Sequence, residues 1–411
     1  MKNKQNMFLF IYNCRLPALI SCLIVLLLGS CQPRTDTTGD EEGAGAVTQA
    51  AFTPDPQKVP EQEVTILKPG EPAPDFNLPD VSGKFYSLAD FDNAEALVIV
   101  FTCNHCPTAQ AYEDRLIRFT NDYKEKGVAV VAIMPNSTLA LLPEECGYTD
   151  LNDTYEEMQI RARDKGYNFP YLYDGDNQGV AIKYGPATTP HAFVFDKDRK
   201  LQYVGRLDAT EKPGTANAED LRIAVDAVLA GNSVETPVNK AFGCSVKWGW
   251  HDEWGKKVES DWNAKPVTIT RLDAQGIRDL VTNASGKLRL INVWATWCAP
   301  CVAEYPDLVL LQRMYGARDF EFVSISADRP EHEDKALAFL EKSHSPVTNY
   351  LYDGTDNYTL IEAVDPDWNG ALPYTLLVEP GGKKVFAYQG VVDQLELRRA
   401  IVEHPMMGRY Y

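Results

Sequence analysis

Two pairs of cysteines, each separated by two residues, are the side chains in this sequence best suited to chemistry: Cys103 with Cys106, and Cys298 with Cys301. A thiolate attacks a disulfide sulfur, and a second thiol two residues away can expel the captured partner and close an internal disulfide. Thiol–disulfide exchange of this kind wants a helix start at the pair, where free backbone N–H groups and the positive end of the dipole stabilise a thiolate. Pro300 and Pro107 suit such starts, because a proline in the first turn lacks only an N–H that would be unpaired anyway. With Pro107 as the first helical residue, Cys106 becomes the N-cap. Cys106 therefore takes the reactive position and Cys103 is expected to resolve it.

Zinc is the competing use of such a pair, and it needs two further ligands. Near Cys298 none is patterned: His332, His344 and His404 are scattered, so redox chemistry is expected there. Near Cys106, the neighbouring His105 and the distant Cys244 leave a second reading open, in which the first pair binds or senses copper or zinc while the second keeps it reduced. Cys146 reads as a structural or idle thiol. No cofactor is expected.

An internal repeat supplies the elements that position both pairs. Tyr171-Leu-Tyr-Asp-Gly175 recurs as Tyr350-Leu-Tyr-Asp-Gly354. Before each copy come an apolar strand (96–101; 288–294), the cysteine pair, an amphipathic helix and a second strand (128–134; 320–325). After each come a proline at a strand start (Pro190; Pro373), a hairpin and a final helix. Strands alternating with helices and then pairing antiparallel predict an α/β architecture with a mixed sheet. The copies span 63–235 and 266–411. Between them, 236–265 holds Trp248, Trp250, Trp254 and Trp262, too many for a free linker, and is expected to pack on a domain. Trp294 and Trp297 are expected to pack rather than react.

The segment from Asn292 through Trp297-Cys-Ala-Pro-Cys301 to Pro306 resembles the TlpA/ResA-like thiol–disulfide oxidoreductases of the thioredoxin superfamily. The first copy resembles their peroxiredoxin-like redoxin (AhpC/TSA-like) relatives through Pro72-Ala-Pro-Asp-Phe76, Cys103-Asn-His-Cys-Pro107, Thr189-Pro190-His191, Asp208 and Phe242-Gly-Cys-Ser-Val-Lys-Trp248. The resemblance implies two tandem thioredoxin-like folds, mixed sheets flanked by helices. It implies Cys298 as nucleophile, Cys301 as resolving thiol, Glu304 tuning both, and Pro373 as a cis-proline facing them, with Pro190 at the matching position. It also implies protein disulfides as substrates and a membrane thiol–disulfide electron donor. One departure stands out. Peroxiredoxins place a threonine three residues before the reactive cysteine, and here that residue is Cys103, which removes a donor that peroxide cleavage needs.

Of nine cysteines, Cys14, Cys22 and Cys31 fall in the leader. Lys2 and Lys4 precede an apolar run at 16–28, too short for a permanent span but suited to a signal-peptide core. It ends Leu28-Gly29-Ser30-Cys31, which resembles a bacterial lipobox, so residues 1–31 are expected to be a lipoprotein signal with Cys31 lipidated, and 32–62 a flexible tether. This predicts an exported, membrane-anchored envelope protein. A formal charge of −18 over 411 residues supplies no basic stripe, so nucleic acid is not an expected partner.

Overall fold

The computed structural model describes residues 52–408, so the signal sequence, Cys31 and most of the expected tether lie outside the described residues. Residues 52–62, assigned by composition to that tether, lie against the first domain. Phe52 sets its ring edge-on to Tyr155 at 5.0 Å, and the Gln57 N–H donates to the Asp176 carbonyl at 2.6 Å.

The first domain runs β1 (Asn77–Pro79), β2 (Phe85–Ser87), β3 (Ala96–Phe101), α1 (Pro107–Lys124), β4 (Val128–Met134), α2 (Tyr155–Lys165), β5 (Tyr171–Tyr173), α3 (Gly179–Tyr184), β6 (Thr188–Thr189), β7 (His191–Phe195), β8 (Leu201–Gly205), α4 (Glu219–Leu229) and β9 (Cys244–Ser245). A connecting helix α5 (Asp252–Asn263) follows. The second domain runs β10 (Thr270–Leu272), α6 (Ala274–Thr282), β11 (Leu288–Trp294), α7 (Ala299–Tyr315), β12 (Phe320–Ser326), α8 (Glu333–Lys342), β13 (Thr348–Tyr352), α9 (Asn357–Val364), β14 (Tyr374–Val378), β15 (Lys384–Gln389) and α10 (Gln394–Val402).

Sheet order is β5-β4-β3-β7-β8 in the first domain and β10-β13-β12-β11-β14-β15 in the second, the same arrangement with one added edge strand. In each, the central strand pairs in parallel with one neighbour and antiparallel with the other. Strand β3 is buried throughout, and its side chains alternate between two cores. Ala96, Val98 and Val100 face the α1 and α4 side, while Leu97, Ile99 and Phe101 face the α3 side. Each large apolar side chain so buried stabilises the fold by about 2 kcal/mol.

The connector bridges both domains rather than packing on one. Trp248 joins the α3-side core of the first and stacks on Trp250 at 4.9 Å. Trp262 packs against the second, donating its Nε1–H to the His344 carbonyl at 3.0 Å. Direct contacts between domains come from α10, whose Arg398 and Arg399 pair with Glu157 at 2.9 Å and Asp150 at 3.1 Å, and from the C-terminal part of α7 and the segment after it. Arg313 pairs with Glu144 at 2.9 Å, Tyr315 donates to the Thr149 carbonyl at 2.8 Å, and Arg318 to the Gly147 carbonyl at 2.7 Å. Cys146 is buried in the second domain's core, where burial pushes its thiol well up and keeps it inert.

Candidate active site

In the second domain Cys298 is the N-cap of α7 and accepts from the Cys301 N–H at 3.3 Å. The two cysteines form a disulfide with Cα atoms 5.3 Å apart. Cys298 is the more accessible, at 6% against 1%. Beside it Trp297, expected to pack, is 69% exposed. It precedes the cap in an extended turn, outside the helix and its core, so its ring forms an apolar surface next to the reactive sulfur. Trp294 is core, against Phe339 at 4.7 Å. The Leu372–Pro373 peptide bond is cis.

Glu304 lies one turn beyond Cys301 on α7 and is buried. Its carboxylate accepts from the Val392 N–H at 3.1 Å and from Asn292 Nδ2 at 3.2 Å. Burial nevertheless raises its pKa to about 6. A carboxyl titrating there can hold a proton near neutral pH for a departing thiolate. The stability it contributes is fully present below its unfolded value of 4.5 and is lost as pH rises through about 6. Glu304→Gln removes that loss: the Gln amide can meet the Asn292 side-chain oxygen, which has no partner in the wild type. We expect the variant to gain about 1 kcal/mol by chemical denaturation at mildly alkaline pH. The exchange rate should at the same time lose its inflection near pH 6. An unchanged pH–rate profile would exclude a role for Glu304 in proton transfer.

The first domain's pair sits at the matching place. Cys106 is the N-cap of α1, with Pro107 first in the helix. Cys106 and Cys103 are 0% and 3% exposed, and the Thr189–Pro190 bond is cis. Cys103 Sγ lies 3.1 Å from Thr189 Oγ1, and Cys106 Sγ lies 3.1 Å from the Thr189 carbonyl oxygen. The Cys244 N–H donates to Cys106 Sγ at 3.3 Å. Burial pushes the Cys106 thiol up, but hydrogen bonds from Cys103 and Cys244 and the charge of His105 outweigh it and hold it well below the ordinary range. Cys103 is pushed up by burial and by donating to Cys106; Cys244 is pushed up by donating to Cys106 and by burial. Both neighbouring thiols thus favour ionisation of Cys106.

Behind the sulfurs His105 Nδ1 meets Asp153 Oδ2 at 2.6 Å, and both side chains are at most 1% exposed. Burial opposes charge on His105, but the Asp153 carboxylate prevails and raises its pKa. Asp153 also accepts from the N–H groups of Asn104 and His105 and from Asn136 Nδ2. Cys103, His105 and Asp153 offer ligand atoms within 4.8 Å of one another. The oxygens of Asp153 are, however, already committed to these donors, and a metal would have to displace them.

Asp208, part of the first copy's family resemblance, forms a buried clamp with Arg115 at 2.8 Å. Sequence reasoning missed Asp153 as the partner of His105 and Thr189 as the partner of the thiols; both reach the site only through folding. The Phe242-Gly-Cys-Ser-Val-Lys-Trp248 string was the one signal that pointed to Cys244.

Comparison with known proteins agrees with this geometry. Residues 69–204 match the AhpC/TSA family model and residues 265–394 match the Redoxin model. The thiol:disulfide interchange protein HelX of Rhodobacter capsulatus is 31% identical over 30% of this chain and 70% of its own length. The chain belongs to the thioredoxin superfamily. The thioredoxin-like protein YneN of Bacillus subtilis is 31% identical over 38% of this chain and 87% of its own. The thiol:disulfide interchange protein DsbE of Allochromatium vinosum is 35% identical over 30% of this chain and 62% of its own length, a little under two thirds. The chain carries thiol–disulfide oxidoreductase chemistry in a protein with tandem AhpC/TSA and redoxin domains. Among the described residues no helix is long and apolar enough to cross a membrane.

Proposed function

We propose that this chain is a cell-envelope oxidoreductase that reduces or exchanges the disulfides of exported proteins at Cys298 and Cys301. A membrane thiol–disulfide donor would supply its electrons, and Cys31 would hold it at the membrane as a lipoprotein. The single observation that carries the reading is the Cys298–Cys301 pair at the start of α7, beside the exposed Trp297, with cis Pro373 in the same domain. An exposed apolar ring next to a reactive sulfur favours an extended protein client over a small thiol. Reduction of insulin disulfides by the anchored-state protein, against Cys298→Ser, tests the assignment; equal rates would remove it. Membrane fractionation of Cys31→Ala tests the anchor, which should release the chain.

Electron relay from the Cys298–Cys301 pair to the Cys103/Cys106 redoxin site extends this proposal. With a rise of about 1.5 Å per residue, Cys298 stands roughly 20 Å along α7 from the Arg313 contact. The reading of the Cys103, His105, Cys106 and Cys244 group as a copper or zinc site is less favoured by the saturated Asp153. Metal analysis of protein purified without chelator decides it: one bound equivalent, lost in His105→Ala, would displace the redox reading of that domain.

A further inference from the structure

Strands β6 and β9 form a separate antiparallel pair, Thr188 opposite Ser245 and Thr189 opposite Cys244. This sets Cys244 across from the residue that precedes cis Pro190, above the Cys106 sulfur. The approach is tight. Gly243 has φ +140°, and a Cβ there would stand 2.0 Å from the Thr189 carbonyl oxygen, so only glycine lets the strand lie down. Downstream, the Lys247 N–H donates to Asn136 Oδ1 at 2.9 Å and the Gly249 N–H to Gln178 Oε1 at 2.8 Å, and Trp248 is anchored in the core. The strand is therefore fastened just beyond the thiol it presents. In the second domain the corresponding Leu372 belongs to no strand pair among the described residues. Cys244 is also the only one of the three clustered thiols that is partly exposed; Cys103 and Cys106 are buried.

We propose that Cys244, rather than Cys103, is the resolving thiol of Cys106, and that the β6–β9 pair is the device that presents it. The proposal rests on the redox reading of the first domain. With a disulfide substrate RSSR′, the Cys106 thiolate attacks one sulfur, forming Cys106–S–S–R and releasing R′S⁻, which takes up a proton. Cys244 then attacks the Cys106 sulfur, losing its proton and releasing RSH. Two electrons pass from the two cysteines to the substrate, and a Cys106–Cys244 disulfide remains. A dithiol donor reverses the process. Its first thiolate attacks the exposed Cys244 sulfur and expels Cys106, the better leaving group of the two. Its second thiol then takes the Cys244 link, which leaves two free cysteines and an oxidised donor. Cys103, hydrogen-bonded to Thr189, takes no part in the exchange.

The test uses the full chain, reduced, exposed to oxidised glutathione, quenched by acid and alkylation, and mapped by mass spectrometry. A Cys106–Cys244 disulfide should dominate and should persist in Cys103→Ser. Cys244→Ser should instead accumulate the Cys106–glutathione adduct, with a lifetime at least tenfold longer. Gly243→Ala, which lifts the strand without removing a thiol, should slow disulfide closure tenfold and speed alkylation of Cys106. A Cys103–Cys106 disulfide, forming equally fast in Cys244→Ser, would overturn this inference alone. Silence of all three thiols while Cys298 and Cys301 oxidise in the same sample would overturn both it and the redox reading of the first domain.

Discussion

Cys301→Ser will convert the second domain from a turnover enzyme into a single-use trap. In the wild type the mixed disulfide on Cys298 is resolved by a thiol held on the same helix turn, and the observed disulfide shows that the backbone already sits where the bond needs it. Well-oriented intramolecular groups act with effective molarities of about 10⁵ M or more, so replacing Cys301 by millimolar solution thiol should lower turnover at least ~10⁴-fold. Serine is close to isosteric and Cys301 is buried at 1% exposure, so the fold should survive the change. Non-reducing electrophoresis should show clients covalently attached through Cys298. A mixed disulfide joining Cys298 to the first domain would support the relay; turnover within tenfold of wild type would mean that Cys301 is not the resolving thiol.

Asp153→Ala will have the largest effect on stability. This carboxylate accepts from two backbone N–H groups, from Asn136 and from His105, all away from water. Burial alone would push its pKa up, yet His105 leads the interactions that pull it below the ordinary 3.8. Removing one member of such a buried pair leaves the other uncompensated and is expected to cost about 3–5 kcal/mol. The pH dependence follows from the two shifts. A lowered Asp153 stabilises the fold above its unfolded value of 3.8, and that contribution disappears as pH falls through the folded pKa. A raised His105 stabilises fully below its unfolded value of 6.5, and that contribution disappears as pH rises through the folded pKa. The difference between wild type and variant should therefore peak between these values and shrink on the alkaline side. Alkylation of Cys106 should move to higher pH in the same variant, because His105 would no longer be held charged beside it. A flat stability difference across this range, with an unmoved alkylation profile, would show that the pair plays no electrostatic part. Asp153→Asn, which keeps acceptors for two of the donors, should recover part of the stability and little of the alkylation shift.

Local pattern made much of this protein legible before any coordinates. The order of elements, the duplication, the helix start at each cysteine pair and the choice of Cys106 as N-cap all follow from short-range facts: apolar runs of strand length, prolines in the first turn, a five-residue string repeated in the same context. These are properties of neighbouring residues, and a chain of 411 residues carries them in plain order. The surroundings of the sulfurs were decided otherwise. Asp153 lies 48 residues from His105, Thr189 lies 86 from Cys103, and Cys244 lies 138 from Cys106. No spacing rule connects such positions, because sheet pairing and loop packing bring them together. Trp297 shows the same division: its type suggested a core residue, but its place before a helix cap turned it outward. The residues and their order determined that two thiol pairs would sit at helix starts in two similar folds. Only the tertiary structure decided which partners surround that thiol, which carboxylate charges its histidine, and that a third cysteine crosses over the first pair, since each depends on burial and on contacts between distant strands.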